Sequence, residues 1–468
     1  MSRRLKTTGM ALALLALTGC ATLSPDGDLG AVQQLTQGKT SGVNAQLKPD
    51  PLAIADLLAQ PLSAEAAVRI ALLNSPQLQG SLAALGVSDA DRVQMGRLPN
   101  PHFAIGRFTE GDTHEIERML SFNVLGLLAL PWRAQWQGQQ HAMAQLQAAQ
   151  DVVRLAADTR KAWITAVAAQ QSARYLRDVK EAAEAGAELA RRMARVGNWS
   201  RLEQAREQLL LAEATAQLAR AQNVAFSTRE KLTRLMGLWG AQTGFVLADR
   251  LPDLPKAATE MTDIEARALR ERLDVRAAVA RNGTIARQEG FDKVEGYFDG
   301  LALSYTRNTS FDNAAGSKSA KRGWELELPL PLFDWGGARH ARSKAVYLQS
   351  TAQVRAVAIQ ARSEAREAYL GYHTAFDLAV HYRDEIVPLR KFINDELVLR
   401  YSGMLASVWE LLADTRQHSL SVNSAIEAQR DFWLAEADLQ TALTGTSPGA
   451  LASLSSGAAA DTATTQGH

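Results

Sequence analysis

Residues 322–342, with the sequence RGWELELPLPLFDWGGARHAR, change their hydrophobic period partway along. From Trp324 to Leu332 every second residue is apolar, and glutamates and prolines fill the positions between them. Because side chains alternate between the faces of a strand, this pattern predicts a strand with one wholly apolar face. The prolines lie on the polar face near the strand end, where the chain can leave a sheet. A long helical pattern follows Gly336-Gly337, so a strand of membrane-barrel type leads directly into a long helix.

The composition allows a folded chain and gives no sign of nucleic-acid binding. The 468 residues carry a net charge of +1, with 22% charged and 46% hydrophobic residues and no basic block. Helix-forming residues such as Ala, Leu, Arg, Glu and Gln are abundant. After the N-terminus no apolar run is long enough for a transmembrane helix, so none is predicted.

The N-terminus has the pattern of a secretion signal. Basic residues at positions 3, 4 and 6 precede a short apolar core and the sequence Leu17-Thr18-Gly19-Cys20. These four residues resemble a bacterial lipobox, which implies removal of residues 1–19 and lipidation of Cys20, the only cysteine. The alternative is an ordinary signal peptide with a chance cysteine. We expect residues 20–61 to form a tether and residues 446–468 a disordered tail.

The body of the chain is an internal duplication. Residues 62–243 and 259–445 follow the same plan, joined by a linker at 244–258, and Arg195-Val196-Gly197 matches Tyr401-Ser402-Gly403. The pattern in each half predicts, in this order, a helix, two strands, a long helix, a turn and a second long helix. The expected strands lie within 103–108, 116–130, 301–306 and 324–332, with loops at 109–115 and 307–322.

The predicted helices are far longer than average. They span residues 135–196 and 338–402, with return helices at 201–236 and 406–443. We expect tight turns at Gly197 and Gly403, because glycine can take the positive φ that such a turn often needs. Apolar side chains at three- and four-residue steps predict lateral packing in a coiled-coil-like bundle.

Four membrane strands cannot close a barrel by themselves. The smallest natural barrels have about eight strands, and open edges are not stable in lipid. The barrel must therefore be shared, with eight strands from two chains or twelve from three. The helices then form a multi-chain cylinder.

Residues 62–445 resemble the TolC-like outer-membrane efflux proteins, especially their lipoprotein branch. The resemblance rests on the duplicated plan, on the junction Leu332-Phe333-Asp334-Trp335-Gly336-Gly337-Ala338-Arg339, and on the segment from Arg400 to Leu412. It implies an α+β membrane protein that forms a homotrimer, with a twelve-stranded outer-membrane barrel continued by a periplasmic helical barrel. The implied partners are a periplasmic adaptor, an inner-membrane pump and outer-membrane lipid.

The same resemblance implies a gate at the periplasmic tip. Tyr401 matches a tyrosine that helps to hold the closed tip together, although the family's arginine partner would fall near Leu405, where this sequence has no arginine. Glu410 matches an acidic residue of the tunnel mouth, and Asp414 lies next to a second such position. The alternative for both carboxylates is a solvated helix face.

The sequence offers no catalytic, cofactor or metal motif, and we expect no enzyme. The histidines lack ligand spacing, and His373 and His381 are interpreted as packing or surface residues. Gly336-Gly337 is not a phosphate loop, since no Gly-Lys-Ser/Thr follows. Tryptophans near the predicted strand ends fit interface anchors: Trp132, Trp136, Trp324 and Trp335. The two functional hypotheses are a passive export duct and a lipidated periplasmic adaptor or scaffold without a pore.

Overall fold

The computed structural model describes residues 22–40, 51–298, 302–327, 333 and 335–449; the side chains of 125, 128, 288–298 and 409 are not described. Cys20, Asp334 and residues 328–332 lie outside these residues. The helices are α1 Leu29–Thr36, α2 Pro51–Leu58, α3 Ala64–Asn74, α4 Pro76–Met95, α5 Val124–Leu128, α6 Leu130–Arg195, α7 Arg201–Met236, α8 Ile264–Glu271, α9 Leu273–Phe298, α10 Gly337–His381, α11 Val387–Ser402 and α12 Val408–Thr444. The strands are β1 His102–Glu110, β2 Thr113–Asn123, β3 Ala302–Asp312 and β4 Ser317–Glu327. A 3-10 helix at Gly240–Gly244 and a π-helical turn at Tyr382–Ile386 complete the described elements.

The four strands form one antiparallel sheet in the order β1-β2-β3-β4. Strands β2 and β3 pair with each other although they come from different halves of the chain. Within the described residues, β1 and β4 each pair along one edge only. The sheet therefore presents two free edges in a single chain.

The strands differ from prediction in their lengths. The expected loop at 109–115 shrinks to a two-residue turn, in which Gly111 takes a φ of 58°. The expected loop at 307–322 is mostly strand, and only Asn313–Gly316 connects β3 to β4. Both predictions were wrong because the strands carry polar side chains on both faces near the hairpin turns, so the apolar alternation of a strand is missing there. Strand β2 ends earlier than expected, at Asn123, whose side-chain oxygen accepts a hydrogen bond from Gly126 N at 2.7 Å.

The first long helix is at least as long as the sequence predicts. Helix α6 has 66 residues, a length of about 100 Å at helical rise. The predicted helix at 338–402 is interrupted instead, since the π turn separates α10 from α11 just before Pro388. Pro388 has no N–H for the helical ladder, and a π turn accommodates such a break locally. Among the described residues no helix is long and apolar enough to cross a membrane.

Contacts divide the chain into two compact units. The first holds the described residues of Met1–Val32, Leu82–Ala148 and Val275–Val357, including the whole sheet; the second holds those of Gln33–Ser81, Ala149–Asp274 and Ala358–His468.

The described residues of the second unit include two apolar cores. One surrounds Trp163, whose indole N–H donates to Leu62 O at 2.8 Å. The other surrounds Phe432, with Tyr372 and Phe376 rings at 5.5 and 5.6 Å and many alanines between the helices. Alanine at these contacts allows close approach of the long helices.

Arg272, between α8 and α9, is a buried cation in the second unit. Its guanidinium donates to both carboxylate oxygens of Asp274, at 3.0 and 2.6 Å, and to Glu364 at 2.7 Å. Burial alone would lower the pKa of Arg272, but the bonds to Asp274 and Glu364 outweigh it and raise that pKa. The side chain is only 1% exposed, so its charge depends on these two partners.

Candidate functional site

The strand register assigns each residue of the sheet to one of two faces, because paired residues share a face and successive residues alternate. The basic face consists of Phe103, Ile105, Arg107, Thr109, His114, Ile116, Arg118, Leu120, Phe122, Leu303, Tyr305, Arg307, Thr309, Phe311, Lys318, Ala320, Arg322, Trp324 and Leu326. The acidic face consists of the alternate residues of the same four strands.

Charge of opposite sign is separated between these faces. All the carboxylates of the four strands lie on the acidic face: Glu110, Glu115, Glu117, Asp312, Glu325 and Glu327. Lys321 is the single lysine or arginine on that face of the described strands. The basic face of the same strands carries four arginines and Lys318 but no carboxylate. The two faces therefore present opposite electrostatic potentials.

The helix-proximal end of the basic face is apolar. Phe103, Leu120, Tyr305 and Trp324 form one cross-strand row, and the Tyr305 and Trp324 rings lie 5.0 Å apart. Phe122, Leu303 and Leu326 form the next row. Trp324 is 68% exposed in the single chain. Such an aromatic and aliphatic surface is typical of one that contacts lipid or another chain.

The predicted strand-to-helix junction is only partly described. Gly336 takes a φ of 75°, a conformation that suits glycine, and Gly337 begins α10. His340 N donates to Gly336 O at 2.9 Å. Phe333 and Trp335 are exposed beside this turn. The sharp turn thus accounts for a glycine at position 336.

The first helical hairpin turns at Gly197, as predicted, with a φ of 81°. Asn198 N donates to Met193 O at 3.0 Å, which closes the end of α6. Helix α7 then starts with a capping box. Ser200 N donates to Glu203 Oε2 at 2.6 Å, and Glu203 N donates to Ser200 Oγ at 3.2 Å.

The second hairpin turns differently. Gly403 has a φ of −83°, and the left-handed residue is Met404, with a φ of 59°. The expectation of a positive φ at Gly403 was therefore wrong by one residue, because the last turn of α11 continues through Gly403, whose N–H donates to Leu399 O at 3.0 Å. The side chain of Met404 is 94% exposed, so the turn presents an apolar tip.

Glu410 has a structural role that the sequence analysis missed. Its backbone N donates to Ser407 Oγ at 3.2 Å, and its carboxylate accepts from Ser407 N at 3.0 Å. This capping box starts α12 and repeats the one at Ser200 and Glu203. The S-x-x-E spacing at both tips was the available signal. Tyr401 lies on the other side of the hairpin turn and is partly exposed at the end of α11.

Asp414 lies between the two helices of the second hairpin. Its carboxylate accepts from Asn394 Nδ2 at 3.3 Å and lies 3.7 Å from Arg390 Nη1, and its side chain is 10% exposed. Asp414 therefore links α12 to α11, whereas Glu410 remains exposed at the start of α12.

A cavity of about 310 Å³ lies between α6, α7 and α12 in the second unit, lined by side chains that include Ala183, Leu210 and Leu420. Glu207 reaches into it, is almost fully buried, and within the described chain its Oε2 has no hydrogen-bond partner. Burial raises the pKa of the Glu207 carboxyl. The sequence did not predict a role for Glu207, because an acidic residue early in a helix resembles a surface residue.

In the first unit, Asp28, Asp89 and His141 have ligand atoms within 4.8 Å of one another, an arrangement that could hold a metal ion. The sequence predicted no metal site, because these three residues are far apart in the chain. His141 Nε2 lies 2.6 Å from Asp28 Oδ2, and Asp89 accepts from Ser24 N at 2.7 Å. The donors are thus already hydrogen-bonded, and they attach the N-terminal segment to α4 and α6.

The other histidines and tryptophans named from the sequence do not form a single cluster. His373 packs against the Tyr369 and Tyr372 rings at 4.5 and 5.4 Å, and His381 lies 3.2 Å from Glu385. Trp132 and Trp136 are both partly exposed on α6.

No family model matches the sequence, and no curated protein matches it either. Solved structures do match it. The chain is similar to the Campylobacter jejuni CmeC outer membrane channel, with 14% identity and a TM-score of 0.68 over 83% of this chain and 87% of that one. It is also similar to the Neisseria gonorrhoeae MtrE outer membrane channel, with 16% identity and a TM-score of 0.65 over 82% and 89%.

A third similar structure is the outer membrane protein VceC from Vibrio cholerae, with 15% identity and a TM-score of 0.63 over 82% of this chain and 96% of that one. All three similarities extend over nearly the full length of the other protein. The chain therefore has the fold of the TolC-like outer-membrane channels.

Proposed function

We propose that this protein is the outer-membrane channel of a tripartite export system. It is a passive duct that carries substrates across the outer membrane from an inner-membrane pump and a periplasmic adaptor. The observation that carries this proposal is the four-stranded sheet with two free edges and one exposed apolar region. A sheet in a membrane must have both edges paired, because lipid cannot hydrogen-bond to open strand edges. Among the described residues, one chain leaves both edges of this sheet unpaired.

Three chains supply the closure. Pairing β4 of each chain with β1 of the next gives a twelve-stranded barrel, wide enough to leave a pore. Two chains would give eight strands, an interior that side chains fill. The long helices of the three chains then form the periplasmic barrel, as in the α+β trimer that the sequence analysis expects.

In this trimer the basic face contacts lipid and the acidic face lines the lumen. Only the basic face carries large apolar rows, which favours it as the lipid side. The lumen then carries Glu325 and Glu327 of each chain, which favours passage of cations near the strand ends.

The N-terminal proposals concern targeting. Residues 1–19 are removed as a signal peptide, Cys20 carries the lipid, and residues 20–61 lead to the first repeat at 62–243. A linker at 244–258, a second repeat at 259–445 and a tail at 446–468 complete the chain. Mass spectrometry of the mature protein tests this: an unmodified Cys20, or a start elsewhere, contradicts it.

The periplasmic gate is assigned to Tyr401, Glu410 and Asp414. Three copies of an exposed carboxylate around a narrow opening repel each other and attract cations, which suits Glu410. Asp414 supports the tip by joining α11 to α12. Removing the hydroxyl in Tyr401→Phe should raise resting conductance in planar bilayers, whereas Tyr347→Phe in α10 should not; equal conductances would remove Tyr401 from the gate.

The decisive experiment reconstitutes the purified full-length protein in planar bilayers and measures its mass in detergent. We expect a trimer and discrete cation-selective conductance steps. A folded protein that stays monomeric and does not conduct would favour the adaptor or scaffold alternative instead.

A further inference from the structure

Three arginines form a row across the sheet. The register pairs Arg118 of β2 with Arg307 of β3, and Arg307 with Arg322 of β4. The strands are about 4.8 Å apart, so the row spans about 10 Å on the basic face. Ile105 of β1 occupies the fourth position of the row.

The sheet itself does not neutralise this row. The basic face of the described strands has no carboxylate. Neither Arg307 nor Arg322 forms an ion pair with another described residue. Arg118 is half-buried and donates to Thr309 Oγ1 at 3.5 Å, while Arg307 and Arg322 are exposed. Like charges directly opposite each other on neighbouring strands are destabilising, so the row favours an external anion.

The position of the row indicates which anion. It lies about 7 Å along the strands from the aromatic row of Phe103, Tyr305 and Trp324, on the side of the hairpin turns. Beyond it the basic face is more polar and carries Lys318 and Arg107. On a lipid-facing surface, aromatic residues mark the interface and arginine is tolerated near the headgroups rather than at the membrane centre. The row thus lies at headgroup depth if the basic face contacts lipid.

We propose that Arg118, Arg307 and Arg322 bind the phosphate groups of a phosphorylated glycolipid in the outer leaflet of the outer membrane. This inference rests on the proposed channel function, which makes the basic face the lipid side. Guanidinium groups bind phosphate in a bidentate manner, and three at this spacing can engage more than one phosphate. Charge complementarity therefore selects a glycolipid with several phosphates over a neutral one.

The first test uses the unaltered trimer in detergent and native mass spectrometry. Lipid A preparations with two, one and no phosphates are titrated separately. The expected occupancy falls in that order. Equal binding of all three forms would overturn the proposal, whatever the variants do.

The second test compares adjacent residues on opposite faces. Arg322→Gln and Lys321→Gln each remove one positive charge at the same level of β4. We expect Arg322→Gln to weaken binding of the bisphosphorylated form about fivefold. The triple variant should weaken this binding on the order of a hundredfold; it combines Arg118→Gln, Arg307→Gln and Arg322→Gln. Lys321→Gln should bind normally; equal losses in Arg322→Gln and Lys321→Gln would contradict the assignment.

Two further measurements separate the possible outcomes. Inorganic phosphate that displaces the lipid at similar concentration would indicate a free-anion site and overturn the lipid assignment. Conductance is recorded for every variant. Trimers that conduct normally but bind lipid without regard to phosphate refute this inference alone, whereas a protein that neither trimerises nor conducts refutes the proposed function.

Discussion

Ser407 and Glu410 satisfy each other's backbone N–H groups at the start of α12, with donor–acceptor distances of 3.0 and 3.2 Å. The same carboxylate is the candidate charge at the channel mouth. Glu410 thus has a structural role in the cap beside the proposed electrostatic role at the channel mouth, and two substitutions can separate them.

Glu410→Gln keeps an acceptor for the cap but removes the charge. We expect a nearly unchanged melting temperature and a lower preference for cations in planar-bilayer recordings. Ser407→Ala is the matched variant, since it breaks the cap and keeps the charge. It should cost about 1 kcal/mol of stability and leave ion selectivity unchanged. Unaltered selectivity in Glu410→Gln would assign Glu410 to the cap alone.

Leu326 and Glu325 are adjacent but lie on opposite faces of β4. On the lipid side of a barrel, an arginine costs about 0–1 kcal/mol near the interface and about 2–4 kcal/mol at the membrane centre, and a lumen arginine costs much less. Leu326 lies one row inside the aromatic row that contains Trp324, so a cost between these limits is expected. Leu326→Arg should therefore reduce trimer yield far more than Glu325→Arg, measured by size-exclusion chromatography after extraction. Similar yields for both variants would mean that the faces are assigned incorrectly.

The buried ion pairs of Arg272 are expected to stabilise the second unit, and a substitution can test this. Arg272→Ala leaves Asp274 and Glu364 without their buried partner, which should cost about 3–5 kcal/mol. Arg267→Ala is the control, because Arg267 forms an exposed pair with Glu271 at 3.3 Å and should cost about 0–1 kcal/mol. Thermal melts followed by helical circular dichroism compare the two. Equal shifts would show that the Arg272 cluster is not a major source of stability.

Glu207 predicts a pH-dependent stability. Burial raises its pKa above the ordinary value of 4.5, so the folded protein holds this proton more tightly than the unfolded chain. The cost of the buried charge is absent below the unfolded pKa, grows as pH rises, and is complete above the folded pKa. Glu207→Gln should therefore melt at a higher temperature than the unaltered protein at pH 8 and at a similar temperature at pH 4.

The control for Glu207 is Glu213→Gln, which alters an exposed carboxylate paired with Arg416 at 2.9 Å. It should not reproduce the stabilisation at pH 8. A melting difference for Glu207→Gln that stays constant from pH 4 to pH 8 would contradict the assigned ionisation.

Periodicity predicted the long helices and the existence of the four strands because these features repeat over many residues. Strand ends were predicted less well. Thr309, Ser310 and Lys318 suggested a loop, yet they belong to β3 and β4, since a two-sided sheet accepts polar side chains along its length. The capping boxes could have been predicted, because Ser407 and Glu410 have the required spacing.

Other features depend on contacts that no local pattern contains. Arg272 meets Glu364 across 92 positions of the chain, and His141 meets Asp28 across 113. Only the folded arrangement brings such residues together. The turn at Met404 is a third example, since a left-handed methionine is uncommon and the neighbouring Gly403 was the natural candidate.

The pairing of β2 with β3 has a consequence for biogenesis. The ribosome completes the first hairpin, β1 with β2, long before it makes β3. Until then, one edge of β2 has no pairing strand. Such long-range pairing is slow, and an open strand edge in the meantime invites pairing with the wrong chain. If the chain forms the proposed membrane channel, it must be protected from wrong pairing at least until the second hairpin has joined the first.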